Sequence, residues 1–188
     1  MNNRDYLISK LGQETGERIY QAFLRHLDAL NCSAACNSKQ QAKVLNNLLL
    51  PRIALYLTLL EEGVDKQTAL DLLEEHMIIN NGLPMKAKYQ KLDQLPCAFG
   101  LFKTGFTTIV KHSDLWDTTI TKGKDQFSVT MHRCFWHDTF AKYGCPEMCQ
   151  FACKCDEITY GDLKHIGFSR TQTLGMGGQC CDFVFYKK

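Results

Sequence analysis

The hydrophobic periodicity of the sequence changes near residue 116, and this change constrains the fold more than any other feature. Before it, apolar residues such as Tyr20, Phe23 and Leu27 recur at steps of three and four, which predicts amphipathic helices. After it, apolar and polar residues alternate, which is typical of strands with one buried face. We therefore expect an α+β protein in which N-terminal helices pack on an antiparallel sheet.

Four helices are predicted in the first part of the chain, over residues 4–30, 39–61, 65–82 and 84–112. Pro51 should bend or restart the second helix, because proline lacks the backbone N–H and clashes with the preceding turn. Asp65 should cap the third helix, and Gly82 should end it. Pro84 suits the first turn of the fourth helix.

Two hairpins, and hence about four strands, are predicted in the second part of the chain. The strands are Thr118–Ile120, Phe127–Met131, Ile166–Arg170 and Cys181–Phe185, and two short helices, 135–143 and 145–155, lie between the hairpins. No segment rich in Gly, Ser or Pro separates two domains. We therefore expect one domain over 1–188, with a mainly helical scaffold in 1–112 and an α+β part in 113–188 that carries the chemistry.

The composition excludes several classes of protein. Hydrophobic residues make up 45% of the chain and charged residues 22%, which excludes a disordered chain, and the net charge of +2 gives no support for nucleic-acid binding. The most apolar stretch, Leu48–Leu60, contains Pro51 and Arg52 and is shorter than the roughly 20 residues that span a membrane. The first residues lack a secretory signal, so we expect a cytoplasmic protein whose cysteines are mostly reduced.

Cysteine is concentrated late in the sequence, with seven of the ten cysteines between Cys134 and Cys181. Steps of four place Cys145, Cys149 and Cys153 on one helix face, where a helix N-terminus favours a thiolate. Cys145, Cys149, Cys153 and Cys155 could also bind zinc, although they lack the paired CxxC spacing of zinc knuckles. Buried structural thiols are the other interpretation. We expect no cofactor, with zinc as the alternative.

Two further patterns carry reactive groups. His132 and Cys134 should face the same side of a strand, as a thiolate–imidazolium pair would require, although a buried thiol beside an exposed histidine is the simpler interpretation. In the last hairpin, Arg170 faces Asp182 across a glycine-rich turn that could cradle an anion. This turn lacks the lysine and helix of a P-loop, which argues against a nucleotide. An Arg170–Asp182 ion pair is the structural alternative.

The segment from Thr173 to Phe183, TLGMGGQCCDF, resembles the C-terminal signature of the L-2-amino-thiazoline-4-carboxylic acid hydrolase family. Upstream residues also resemble that family, namely Cys134, Glu147, Cys149, Phe151, Cys153 and Asp156. The resemblance covers roughly residues 130–185. It implies hydrolysis of a cyclic isothiourea, in which water adds at C2, the C–S bond breaks and N-carbamoyl-L-cysteine forms.

The resemblance also implies roles for individual residues, which should converge on one pocket. The implied catalytic residues are Cys153, Asp156, Cys181 and Cys134, and the implied substrate-binding residues are Arg170, Thr173, Asp182 and His132. Cys153 is the first candidate nucleophile, with Cys181 or a water activated by Asp156 as rivals. Arg170 would hold the substrate carboxylate in a bidentate contact. A cysteine-bound metal that activates water is the alternative mechanism.

Two other functional classes stay open at this point. The arrangement of helices followed by a cysteine-bearing hairpin also resembles V4R-type domains, which bind small molecules without turning them over. Clustered cysteines would also suit a sensor of metal or oxidant. In each case the expected partner is a small molecule rather than a nucleic acid or a membrane, and a homo-oligomer stays open.

Overall fold

The structure is a computed structural model that describes residues 1–33 and 36–188. The chain divides into two compact units, 1–80 and 81–188, and each is described by itself. The expectation of one domain that changes character between residues 112 and 113 stays a prediction.

The first unit is helical. Its α-helices are α1 (Asn3–Leu11), α2 (Gln13–Ser33), α3 (Lys39–Val44), α4 (Leu50–Glu61) and α5 (Lys66–Met77). Two π-helical segments interrupt the α-helical pattern, at Leu45–Leu49 before α4 and at Ile78–Gly82 after α5. Large apolar side chains from α1, α2, the first π segment and α4 form the core, among them Leu7, Ile19, Leu49, Ile53 and Leu55.

The predicted helix over residues 4–30 is two helices, because the chain turns at Gly12. Gly12 has a φ of +83°, a conformation that residues with a Cβ rarely adopt. Gly16 then lies so close to α1 that a Cβ there would be 2.6 Å from the backbone of Ile8. Neither glycine interrupts the pattern of apolar residues in α2, so this pattern alone could not locate the turn at Gly12.

Pro51 lies in the first turn of α4, directly after the first π segment. The helical stretch Lys39–Glu61 therefore restarts at the proline as expected, with a wide turn in front of it. By length and composition this stretch is apolar enough to cross a membrane, but half of it is buried inside the protein, as in core helices of soluble proteins.

Asp65 caps α5 as predicted, since its side chain accepts a hydrogen bond from the Thr68 N–H at 3.0 Å. The prediction that Gly82 ends a helix is wrong. Gly82 has helical backbone angles, and α6 begins at Leu83 with Pro84 in its first turn. Proline is tolerated at this position because the first N–H groups of a helix have no intrahelical partner.

The second unit is α+β and confirms the predicted fold class. Its helices are α6 (Leu83–Asp93), α7 (Ala98–Lys111), α8 (Phe135–Lys142) and α9 (Cys149–Tyr160), and a 3₁₀ turn at Pro146–Met148 precedes α9. Its strands are β1 (Trp116–Lys122), β2 (Gln126–Cys134), β3 (Ile166–Ser169) and β4 (Cys181–Lys187). The predicted helix over 84–112 is split in two, because the chain turns at Pro96 and at Cys97, whose φ is +61°.

The four strands form one antiparallel sheet in the order β1-β2-β4-β3. Alternate residues of β2 and β4 bury one face of the sheet against aromatic side chains of α7 and Tyr160 of α9. The buried set comprises Phe99, Phe102, Phe127, Val129, Tyr160, Phe183 and Phe185. The last residue of β2, Cys134, and the first residue of β4, Cys181, lie toward the same end of the sheet, because Met131 pairs with Cys181. This end of the sheet carries the candidate site.

Candidate active site

A cavity of about 170 Å³ opens between α9 and the end of the sheet where β2 finishes and β4 begins. Its wall is largely aromatic, with four cysteines and one carboxyl group. The lining residues are Phe106, Trp116, Met131, Cys134, Trp136, Cys149, Ala152, Cys153, Asp156, Tyr160, Cys181 and Phe183. The structure therefore brings together all four residues that the resemblance implies as catalytic.

Helix α9 supplies three of these groups, Cys149, Cys153 and Asp156, from a single face. Their spacing of four and three residues places the side chains one above another, as the sequence pattern predicted for Cys149 and Cys153. Cys145 does not belong to this face, because it precedes the 3₁₀ turn and is fully buried. Cys155 is also buried, with its sulfur close to Gly82.

A β-bulge in β2 separates His132 from Cys134. Arg133 pairs with Asp117 but Met131 pairs with the next residue of β1, Thr118, which leaves His132 as the extra residue. Strand alternation is shifted by one, so Cys134 faces the cavity while His132 is exposed and contacts Thr119 Oγ1 through Nε2 at 3.0 Å. The predicted same-side His132–Cys134 pair is therefore not formed.

Asp182 holds the segment that leads into the site rather than facing the cavity itself. Its carboxylate accepts hydrogen bonds from the N–H groups of Thr171 and Gln172, each at 2.9 Å, and from the Thr171 hydroxyl. The alternative ion pair with Arg170 is not formed, since Asp182 is occupied by these backbone groups. Asp182 thereby fixes the course of the loop before the glycine-rich turn.

The glycine-rich turn lies directly on the thiols. The Leu174 N–H donates to the Cys181 sulfur at 3.4 Å, and the Gly175 N–H donates to the Cys153 sulfur. Gly175 is so close to α9 that a Cβ there would lie 2.9 Å from the sulfurs of both Cys149 and Cys153. Glycine is required at this position because backbone N–H groups must approach the sulfurs, as in other backbone cradles for anionic atoms.

The pKa of the Cys153 thiol is lowered from its ordinary value. The main cause is a hydrogen bond from the Cys149 thiol, and burial opposes it. The Thr173 hydroxyl, the positive charge of Arg170 and the Gly175 N–H lower this pKa further. Cys149 is the proton donor of this pair, so its own pKa is raised.

The other two thiols of the cavity are protonated near neutral pH. Burial raises the pKa of Cys181 to about 11, although the Leu174 N–H opposes the rise. Burial also raises the pKa of Cys134, and the N–H groups of His137 and Trp136 only partly offset it. Among the four thiols of the cavity, Cys153 is therefore the one that ionises most readily.

The pKa of Asp156 is shifted in the opposite direction, upward from its ordinary value. Desolvation by the surrounding side chains, followed by the nearby Cys153, raises the pKa of its carboxyl group to about 8. The side chain is still 38% exposed, which is consistent with its place in the cavity wall. One face of α9 thus presents a thiol that favours its charged form beside a carboxyl that favours its neutral form. Such a divergence is typical of an acid–base pair.

Arg170 lies behind this pair, and its side chain is only 6% exposed. Nη2 donates to Glu157 Oε1 at 2.8 Å, and Nη1 lies 3.8 Å from Asp156 Oδ2 without a hydrogen-bond partner. The rings of Phe168 and Phe183 pack against the guanidinium, with ring centres 6.0 and 5.8 Å away. Arg170 does not line the cavity, but its charge acts on both Cys153 and Asp156.

Sequence reasoning missed the aromatic wall of the cavity. Trp116 and Trp136 stack with ring centres 5.4 Å apart and an interplanar angle of 7°, and Phe106 and Tyr160 complete the wall. The stacking depends on β1 lying beside the start of α8, and no local pattern predicts it. Thr173, implied only by the resemblance, is buried, and its hydroxyl acts on Cys153.

In the part of the chain that the structure describes, no three His, Cys, Asp or Glu side chains are arranged to hold a metal ion. The alternative zinc set is dispersed: Cys149 and Cys153 line the cavity, whereas Cys145 and Cys155 do not. Among the described residues, no disulfide bond joins two cysteines.

Comparison with known proteins gives one family. The family model of L-2-amino-thiazoline-4-carboxylic acid hydrolase matches residues 39–185. Neither the curated proteins nor the solved structures contain a significant match. The matched region spans most of the 188 residues and includes every group of the cavity described above. The chain therefore belongs to the L-2-amino-thiazoline-4-carboxylic acid hydrolase family.

Proposed function

We propose that this protein opens a cyclic isothiourea or amidine ring of the L-2-amino-thiazoline-4-carboxylate type, with the Cys153 thiolate as nucleophile and Asp156 as the proton donor. Membership of a hydrolase family supports the class of reaction. The observation that carries the assignment of roles is the opposite perturbation of two neighbouring groups in one cavity: the pKa of Cys153 is lowered and that of Asp156 is raised.

In the first step, the Cys153 sulfur attacks C2, the ring carbon that is bonded to sulfur and two nitrogens. A bond forms between the Cys153 sulfur and C2, and the bond from C2 to the ring sulfur breaks. The neutral carboxyl of Asp156 gives its proton to the departing sulfur, which would otherwise leave as a thiolate. The product of this step is an isothiourea attached to Cys153, with the opened substrate bearing a free thiol.

In the second step, water attacks the same carbon and releases the enzyme. Asp156, now a carboxylate, accepts a proton from the attacking water. The second water proton passes to the imino nitrogen, the bond between carbon and the Cys153 sulfur breaks, and the carbon becomes the carbonyl carbon of a urea. The net reaction consumes one water and gives N-carbamoyl-L-cysteine, while the Cys153 thiolate and the neutral Asp156 are restored.

The groups around this pair have supporting roles. The Gly175 N–H and the Cys149 thiol donate to Cys153 and stabilise its anion, and the buried Thr173 hydroxyl also lowers the pKa of Cys153. The stacked Trp116 and Trp136 offer a flat apolar surface against which a small ring can lie. The role of carboxylate-binding residue, implied for Arg170 by the resemblance, stays a prediction, because Arg170 does not line the cavity and its Nη2 is bonded to Glu157.

The proposal is tested by incubating the purified protein with L-2-amino-thiazoline-4-carboxylate and following substrate and product by mass spectrometry. We expect N-carbamoyl-L-cysteine to form, and the intact protein mass to show a covalent adduct that maps to Cys153 during turnover. Asp156→Asn keeps the size of the side chain but removes the proton donor, so it should lower kcat by about 10²-fold or more.

Two outcomes would contradict the proposal. Turnover without any adduct, retained in Cys153→Ala, would show that water attacks directly. Saturable binding of the thiazoline without turnover would instead favour the binding-module alternative.

A further inference from the structure

The N-terminal unit contains a second cavity that the proposed hydrolase chemistry does not use. It has a volume of about 170 Å³ and lies against the start of α4 and the end of α5. It is lined by Met1, whose amino group donates to Asn80 Oδ1 at 3.0 Å, by Pro51, and by the polar side chains of Asn3, Asn47, Arg52, His76 and Asn80. In contrast to the aromatic cavity of the second unit, side chains that form hydrogen bonds dominate this wall.

His76 is the feature that points to a ligand. The residue is only 7% exposed, and neither of its ring nitrogens has a hydrogen-bond partner. Its ring packs edge-on against Tyr6 at a centroid distance of 4.9 Å, which holds the imidazole in place. Buried polar groups are nearly always hydrogen-bonded in proteins, so an imidazole left open toward a cavity is typical of a site that a ligand completes.

Arg52 gives the cavity its charge. It is 9% exposed, and its Nη1 donates to the carbonyl oxygen of Leu48 in the preceding turn. No aspartate or glutamate is among the described residues that line the cavity. The electrostatic effect of Arg52 reaches His76, because burial and this positive charge together lower the pKa of His76 to about 4. The two groups thus present positive charge and N–H donors to the same space.

The two π-helical segments place the amides of the cavity. Asn47 lies in the segment Leu45–Leu49, and Asn80 lies in the segment Ile78–Gly82. The Asn80 amide donates to the His76 carbonyl oxygen at 3.1 Å, which ties the second segment to the end of α5. Each π turn inserts one residue into a helix at an energetic cost, and such turns are frequent at functional sites.

We propose that this cavity binds a small oxyanion, a carboxylate or phosphate group, between Arg52 and His76. The oxygens accept hydrogen bonds from the guanidinium, from the imidazole N–H and from an asparagine amide. The site would be separate from the Cys153 cavity, and it does not depend on the proposed hydrolase activity.

The full chain is titrated with sodium phosphate and, separately, with sodium acetate, at constant ionic strength maintained with sodium chloride. The readout is the nitrogen resonances of the His76 ring in NMR spectra, assigned with a His76→Gln variant. We expect saturable shifts with at least one of the two anions. We also expect the pKa of His76 to rise when the anion binds, because the bound negative charge offsets Arg52 and the amino group of Met1, the two charged groups that lower it.

Arg52→Met should weaken the binding about tenfold or more, since it removes the charged donor while keeping an unbranched side chain. Asn47→Ala should weaken anion binding severalfold. Because Asn47 is exposed and does not support the core, this variant still tests the proposal if Arg52→Met fails to fold. His112→Gln, an exposed position outside the cavity, is the matched control and should bind as the wild type does.

The proposal would be overturned if the His76 resonances do not move with either anion, or move equally with chloride. It would also be overturned if Asn47→Ala and Arg52→Met bind as tightly as the wild type. Saturation by phosphate alone would assign the site to phosphate groups, and saturation by acetate alone would assign it to carboxylates.

Discussion

The Cys149 thiol should set the reactivity of Cys153, and a pair of substitutions at Cys149 isolates this effect. Cys149 is buried one helical turn before Cys153, and its hydrogen bond is the largest cause of the lowered pKa of Cys153. Cys149→Ala removes the donor, whereas Cys149→Ser keeps a donor of similar size at the same position. The two variants therefore differ in the hydrogen bond more than in the packing.

The size of the effect follows from the kind of hydrogen bond that is lost. A hydrogen bond to a charged acceptor contributes about 1.5–3 kcal/mol, and about 1.4 kcal/mol corresponds to one pH unit in a pKa. We therefore expect Cys149→Ala to raise the pKa of Cys153 by about one to two pH units. The Thr173 hydroxyl, the Gly175 N–H and Arg170 remain in place and should keep the pKa from rising further.

The assay is the rate at which iodoacetamide alkylates Cys153 as a function of pH, measured by fragmentation mass spectrometry of the peptide that contains it. Cys181 in the same sample is an internal reference, because its raised pKa should leave it slow below pH 9. The reasoning would be refuted if Cys149→Ala titrates as the wild type does, or if Cys149→Ser raises the pKa as much as Cys149→Ala.

The remaining predictions concern the loop, the guanidinium and the pH profile. Gly175→Ala should lower the free energy of unfolding by about 1–3 kcal/mol in denaturant titrations, because a Cβ would contact the thiols, and it should raise the pKa of Cys153. Gly177→Ala is the control: it should lower the free energy of unfolding by about 1 kcal/mol through its φ of +83° alone and leave the pKa of Cys153 unchanged. Arg170→Met should lower kcat and raise the pKa of Cys153. A rise in KM with unchanged kcat would instead indicate that Arg170 binds the substrate carboxylate. The pH profile of kcat/KM should be bell-shaped, rising as Cys153 ionises and falling near pH 8 as Asp156 loses its proton; a single rising limb would contradict the assigned acid.

The local features of the fold could be predicted from the sequence. The Asp65 cap, the hairpin around residues 122–125 and the alternation of Cys181, Phe183 and Phe185 all depend on residues within a few positions of one another. The α+β fold class and the order of helices and strands follow from such patterns of caps, turns and alternating residues. The shared face of Cys149 and Cys153 also followed from helical spacing alone.

The features that could not be predicted depend on contacts between distant segments. The bulge at His132 changes which residues face the cavity, and only the pairing of β1 with β2 reveals it. The partner of Arg170 is Glu157 on α9, thirteen residues away, rather than the residue opposite it on the hairpin. The lowered pKa of Cys153 likewise depends in part on Arg170, Thr173 and Gly175, which lie seventeen or more residues later in the chain, in addition to Cys149 on its own helix.

The π segments are a further case, because their sequences contain no residue that specifies a π turn. Pro51 predicts a disturbed helix near the first segment, but nothing in residues 78–82 distinguishes a wide turn from an ordinary helix end. The buried position of His76 is equally invisible to periodicity, since a histidine near the end of an amphipathic helix is ordinarily exposed.

The central claim is that Cys153, rather than another thiol of the same cavity, is the nucleophile. The most direct measurement is kcat on L-2-amino-thiazoline-4-carboxylate for Cys153→Ser and, as a matched control, Cys181→Ser, with the fold of each verified by circular dichroism. We expect Cys153→Ser to lose turnover by about 10³-fold or more while Cys181→Ser keeps most of it. Near-full activity in Cys153→Ser, or loss of activity in Cys181→Ser alone, would contradict this claim.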